Sequence, residues 1–207
     1  LVPSPFDTPT GSSHRSKRPR RGLERELRYQ YSAKIKRAPW REALRLLDEL
    51  RAADVEPNQV NYNGAIHRCA VEGAWEPALG VLEAMGRREV EPNAITYNSL
   101  IHACTKGGQW RRALELSSEM RRRGLAPSAI TYSSVISACA KGGQWELALE
   151  LLREMQQQRG LAPNAITCNA AIEACTNGGE WQRALSLFDK MVARGPAPDA
   201  ITHNCAI

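Results

Sequence analysis

Nowhere in this 207-residue chain is there a run of about 18 apolar residues, so no membrane-spanning helix is expected. Its six cysteines form no CxxC pair and no clustered Cys/His spacing, which argues against a zinc module. No GxxxxGK, HExxH or GxSxG stretch is present, nor a dispersed Ser/His/Asp arrangement, so neither an enzyme nor a small-molecule substrate, cofactor or metal is predicted. Aromatics are few, at 6%, but 43% hydrophobic and 24% charged residues are the proportions of a globular chain. Acids are scarce only at one end. Residues 1–37 hold ten Lys/Arg against three Asp/Glu, a net of +7, whereas the remainder holds 18 against 19, a net of −1. The basic balance therefore belongs to the N-terminal extension, and the rest of the chain cannot be assigned to nucleic acid on charge alone.

What is present is repetition. Trp40, Trp75, Trp110, Trp145 and Trp181 are spaced 35, 35, 35 and 36 residues apart, and Pro57, Pro92, Pro127, Pro163 and Pro198 keep the same beat. The one extra residue falls between Trp145 and Pro163, where QQQRGLAP replaces RRRGLAP. A fixed period of this size predicts a solenoid, in which each unit buries its apolar face only against its neighbours. The expected divisions are a basic disordered extension (1–22), a degenerate N-terminal capping repeat (23–58), repeats at 59–93, 94–128, 129–164 and 165–199, and the start of a further repeat at 200–207. The missing initiator Met and the ending inside a repeat predict a processed or partial chain. The extension ends in HRSKRPRRG, whose Lys17, Arg18, Arg20 and Arg21 suit an electrostatic arm, the remnant of an organellar targeting segment or a nuclear-type basic run, as well as a plain linker.

Within residues 94–128, Tyr97, Leu100, Ile101 and Cys104 fall at offsets 0, 3, 4 and 7, an amphipathic helix stripe ended by Gly107-Gly108. A second helix begins near Trp110 and places Ala113, Leu114, Ser117 and Met120 on its face before Gly124 and Pro127 close it. Each repeat reads as a helical hairpin, and the fold class as an all-α solenoid. Cys69, Cys104, Cys139 and Cys175 keep the period and read as small buried thiols, in keeping with a reducing compartment.

The opposite side of the first helix carries Ile95, Asn98, His102 and Lys106 at offsets 0, 3, 7 and 11, and Lys141 continues the last row in the next repeat. An aliphatic residue beside an amide or hydroxyl recurs: Val60 with Asn63, Ile95 with Asn98, Ile130 with Ser133, Ile166 with Asn169. Asn is a poor helix former, so its return one turn into successive helices needs a reason. A ladder of solvated or mutually bonded side chains would explain it. So would an unpaired base lying on the aliphatic side chain with its edge on the amide. After each loop proline stands a short polar residue, Asn58, Asn93, Ser128, Asn164 or Asp199, suited to cap the following helix.

The pattern ITYN…LI…AC…KGGQW…ALEL…EM…GLAPN at a 35-residue beat resembles the pentatricopeptide repeat family, closely over 59–207 and loosely over 23–58. The resemblance implies a right-handed α-solenoid that binds single-stranded RNA, one base per repeat. The implied base-reading pairs are Asn63/Asn93, Asn98/Ser128, Ser133/Asn164 and Asn169/Asp199, giving 5′-C/U-C-A-U-3′, with Val60, Ile95, Ile130 and Ile166 sandwiching the bases. Lys106, Lys141 and the four basic residues of the extension are candidate phosphate contacts. Arg28 with Asn58 lies outside the family's pattern, and Cys168 and His203 stand where tyrosine stands in earlier copies. The expected function is RNA stabilisation, processing, editing or translation in a chloroplast or mitochondrion. The alternative is a structural subunit of an organellar ribosome or other large ribonucleoprotein or protein assembly that contacts protein or RNA and reads no sequence.

Overall fold

The computed structural model describes residues 21–158, 160–197 and 202, except for the side chains of Arg21 and Arg194. Ten α-helices and no strand are found among the described residues: α1 Arg21–Arg37, α2 Trp40–Ala52, α3 Gln59–Glu72, α4 Trp75–Arg87, α5 Ala94–Lys106, α6 Trp110–Arg122, α7 Ala129–Lys141, α8 Trp145–Gln157, α9 Ala165–Asn177 and α10 Trp181–Arg194. The fold is an all-α helical repeat, and no helix is long and apolar enough to cross a membrane among those residues.

Local chemistry sets the helix ends. Asn58, Asn93, Ser128 and Asn164 all cap the odd-numbered helices by accepting a bond from a backbone N–H two or three residues on. At the other end of α5 and α7, Gly108 and Gly143 take the left-handed conformation, with φ of 70° and 67°, where a side chain would be strained. Their neighbours Gly107 and Gly142 have ordinary φ and serve a different purpose. A Cβ added at Gly107, Gly142 or Gly178 would lie 2.3 Å from Cδ1 of Trp75, Trp110 or Trp145. The first glycine of each pair is thus the seat of the preceding repeat's tryptophan.

The odd-numbered helices stack in one continuous row, α1 on α3, α3 on α5, α5 on α7 and α7 on α9. Helices α2, α4, α6 and α8 each pack on the odd-numbered helices before and after them, and α10 packs on α9; even-numbered neighbours meet only through long side chains, as in the Arg121–Glu154 ion pair (2.8 Å) between α6 and α8. The closer-packed row forms the inner side of the array and the separated row the outer side. The core lies between the rows. Tyr97, Leu100, Ile101, Cys104, Ala113 and Met120 are fully buried, and their counterparts Tyr62, Ile66, Cys69, Met85, Ile136, Cys139 and Met155 are buried too. Each large apolar side chain in that seam contributes on the order of 2 kcal/mol by leaving water. Burial pushes the thiols of Cys69, Cys104 and Cys139 up to about 11, as expected of packing residues.

The partner of the seam tyrosine differs between registers, and Tyr62 accepts from Arg51 (3.0 Å). The phenol of Tyr97 donates to Glu119 (2.9 Å) and that of Tyr132 to Glu154 (2.9 Å), and burial with these carboxylates pushes both phenols up to about 12. In the next register Cys168 replaces the tyrosine, Lys190 occupies the place of the glutamate, and a groove of about 640 Å³ opens between Leu152, Cys168, Leu187 and Met191.

Candidate nucleic-acid interface

The residues singled out by pattern fall on the free side of the inner row of helices. Val60, Ile95, Ile130 and Ile166 are 52, 62, 65 and 66% exposed, although each is a large aliphatic side chain one position into a helix. Nothing in the packing explains four such residues in one row. Two positions before each buried tyrosine or its cysteine replacement, they point away from the seam that the ring enters.

Beside them lie the polar residues. Asn63 and Asn98 are half-buried, whereas Ser133 and Asn169 are buried, at 7 and 8% exposure. The N-caps Asn93 and Ser128 are half-buried, and Asn164 is exposed. One pair expected to act together is in direct contact across its junction. Asn63 Nδ2 donates to Asn93 Oδ1 at 3.3 Å, and Asn93 Nδ2 in turn donates to Gln59 Oε1 at 3.1 Å. Asp199 lies outside the described residues, as do Lys17, Arg18 and Arg20 and the side chain of Arg21.

A participant that pattern reasoning missed ties these residues together. From α5 onward the first-turn threonine bonds the amide or hydroxyl one repeat back: Thr96 donates to Asn63 (2.6 Å), Thr131 to Asn98 (2.7 Å) and Thr202 to Asn169 (2.7 Å), while the hydroxyls of Thr167 and Ser133 lie 2.6 Å apart. The signal was present in the sequence, since the T of every ITYN, ITYS, ITCN and ITHN stretch keeps the period. It reads there as an ordinary polar residue in a first turn. The polar ladder is therefore a bonded one, and its rungs run through threonine.

Further along the same face, Lys106 Nζ donates to the carbonyl of Val71 (2.8 Å), Lys141 Nζ to that of Thr105 (3.5 Å) and Asn177 Nδ2 to that of Ala140 (3.3 Å). These cations bridge to the C-terminal carbonyls of the preceding inner helix, where a positive charge complements the helix dipole. Both lysines remain exposed, each with further N–H groups to offer. His102 lies in the adjacent row, and desolvation, followed by Lys106, His67 and Lys141, holds its imidazole below the usual range. The face thus presents, in order along each helix, an apolar surface, an amide or hydroxyl, and in the middle repeats a positively charged row.

No group of three or more potential metal ligands occurs among the described residues. At the first junction the pattern breaks: Arg28 donates to the carbonyl of Glu56 (2.8 Å) and to Glu24 (3.3 Å), and Asn61 stands where the other junctions have threonine.

Solved structures with this arrangement include the pentatricopeptide repeat protein PPR10 from maize, 32% identical with a TM-score of 0.64 over 87% of this chain and 26% of that one. PPR10 in complex with an 18-nt psaJ RNA element gives 28% identity and a TM-score of 0.68 over 89% and 26%. The PPR domain of Arabidopsis thaliana protein-only RNase P 1, solved with tRNA, has the same fold at 18% identity, with a TM-score of 0.71 over 88% of this chain and 94% of that domain. The present chain spans about a quarter of the length of PPR10. No curated protein matches it. The PPR repeat family model matches residues 93–141, 130–177 and 163–207, and the pentatricopeptide repeat domain model matches residues 45–107. With matches running from the second helix onward, the chain belongs to the pentatricopeptide repeat family.

Proposed function

We propose that this chain binds single-stranded RNA along the free face of its inner helices, one base at each junction from α3 onward. Asn63/Asn93, Asn98/Ser128, Ser133/Asn164 and Asn169/Asp199 read 5′-C/U-C-A-U-3′, and the chain acts in organellar RNA metabolism. The observation that carries the reading is the exposed aliphatic row, Val60, Ile95, Ile130 and Ile166, set beside the amides and N-caps. An aliphatic side chain held in water at each repeat offers an unpaired base an apolar surface, and the adjacent amide offers its edge a donor and an acceptor. PPR10 bound to an RNA element supports the same reading.

Lys106 and Lys141 supply phosphate contacts in this account, with the basic extension adding to them. Because residues 38–207 carry a net charge of −1, affinity depends on base contacts as much as on phosphate neutralisation, and its salt dependence is shallow for an RNA-binding protein. Four read bases recur often in any transcriptome, so target choice needs further repeats or a partner.

The test is binding of an unstructured RNA containing CCAU by the native chain and by an Ile95→Asp, Ile130→Asp variant. Both side chains are exposed, so the variant keeps its thermal stability. Its RNA affinity falls about ten-fold, the equivalent of one lost stacking contact. Unchanged affinity, together with stoichiometric migration in a large particle that enriches no RNA motif, would instead establish a structural subunit.

A further inference from the structure

We propose that Thr96, Thr131, Thr167 and Thr202 are positioning residues, each of which orients the reading side chain of the preceding repeat and so decides which of its atoms faces the RNA. This deepens the base-reading function above and rests on it.

The four hydroxyls are 0, 1, 0 and 0% exposed, so none can touch a base itself. Thr96, Thr131 and Thr167 each sit between an N-cap and a reading residue. The backbone N–H of Asn93 donates to Thr96 Oγ1 (3.1 Å) and that of Ser128 to Thr131 Oγ1 (3.0 Å), leaving each hydroxyl one proton to give. Two acceptors compete for it. The cap side chains, Asn93 Oδ1 and Ser128 Oγ, are 3.1 and 3.2 Å away, and the reading amides, Asn63 and Asn98, are 2.6 and 2.7 Å away. The shorter separations are those of an O–H···O bond and not of an N–H···O bond, so the proton goes to the reading side chain and the atom receiving it is the amide oxygen.

The consequence is chemical. With Oδ1 bonded to threonine, Asn63 and Asn98 have Nδ2 left to offer as a donor, one N–H of Asn63 being shared with Asn93 Oδ1 (3.3 Å). A donor complements the carbonyl oxygen that both pyrimidines carry, which suits the first two places of the register. Ser133 is held differently. Its hydroxyl donates to the carbonyl of Ala129 (2.8 Å) and faces Thr167 at 2.6 Å, so it is drawn back into its own helix, and the space an amide fills elsewhere is open to a purine.

The first junction is an internal control. There Asn61 replaces the threonine and donates to Ser32 Oγ (2.8 Å) and to the carbonyl of Arg28 (3.0 Å). The residue at the reading position, Arg28, has no such hydroxyl to orient it and turns to Glu56 and Glu24 instead. Threonine is present at the junctions assigned a base and absent at the one that is not.

The test uses the full chain, its Thr131→Val and Thr131→Ser variants, and unstructured RNAs containing CCAU, CAAU and CCAA. The native chain and Thr131→Ser prefer CCAU to CAAU. Thr131→Val reduces that preference about five-fold, the scale of one hydrogen bond, and leaves the preference for CCAU over CCAA unchanged. A Thr131→Val chain that weakens on all three RNAs equally, with both preferences intact, would show a merely structural threonine and overturn the proposal while base reading stands. A native chain without any preference at the second base would remove base reading and this proposal together. Should Thr131→Val not fold, Thr96→Val carries the same test at the first base.

Discussion

The first junction, between α1 and α3, and the three described junctions that follow it are built on the same backbone plan and do different work. At the later ones a tryptophan rests on a glycine, a threonine bonds an amide or hydroxyl, and an aliphatic side chain stands in water. At the first, Glu72 occupies the glycine's place and accepts a bond from the backbone N–H of Trp40 (3.1 Å), Asn61 occupies the threonine's, and Arg25 the aliphatic's. The difference separates what stacking needs from what recognition needs. Helices α1 and α3 pack well without any of the three features, so their return elsewhere has to be explained by close tryptophan seating in one case and by the free face in the others.

The largest expected effect tests the seating. Gly142→Ala places a Cβ against the Trp110 ring and should cost about 2 kcal/mol, the usual range for overpacking, read as a lower denaturant midpoint. Glu72→Ala at the first junction should cost about 0.5 kcal/mol, as other half-exposed changes do. Equal losses would erase the contrast. Next comes an attempt to convert the first junction. Arg25→Ile, Arg28→Asn and Asn61→Thr together should add a pyrimidine preference of about five-fold immediately 5′ of CCAU, measured by competition. A third change sharpens the Tyr-to-Cys departure. Cys168→Tyr with Lys190→Glu restores the phenol–carboxylate pair across the 640 Å³ groove and should raise stability by about 1 kcal/mol, seen as a higher Tm.

The smallest effect at neutral pH concerns the periodic thiols. Burial raises Cys69, Cys104 and Cys139 in the folded chain to about 11, from an ordinary 9.0. Between those values the unfolded chain has lost these protons and the folded chain keeps them. Stability is therefore full below pH 9 and falls as pH rises toward 11. A denaturant midpoint that is flat across that window would contradict the burial of these groups.

Much of this was legible in the residues. The period of Trp and Pro, the stripe Tyr97, Leu100, Ile101 and Cys104, and the helix caps Asn93 and Ser128 read directly into hairpins, because helix periodicity and capping are local rules. Three features were not legible. The two glycines of each pair look alike in sequence, yet Gly108 serves the backbone and Gly107 serves a ring from another repeat. Lys106 and Lys141 read as free cations, but their bonds to Val71 and Thr105 depend on a helix about 35 residues earlier. The threonines look like first-turn residues, and only the stacking of one inner helix on the next brings Thr131 to Asn98. In each case the partner is set by the superposition of neighbouring repeats, which spacing within one repeat does not encode.

Base reading by the side chains of the inner face stands or falls at Ser133. Ser133→Asn gives the α7–α9 junction the Asn/Asn pair of the α3–α5 junction, with Thr167 in place to orient the new amide. Affinities of the native and variant chains for unstructured RNAs containing CCAU and CCCU should cross, the native chain preferring CCAU and the variant CCCU. Identical preferences before and after the substitution would contradict the claim.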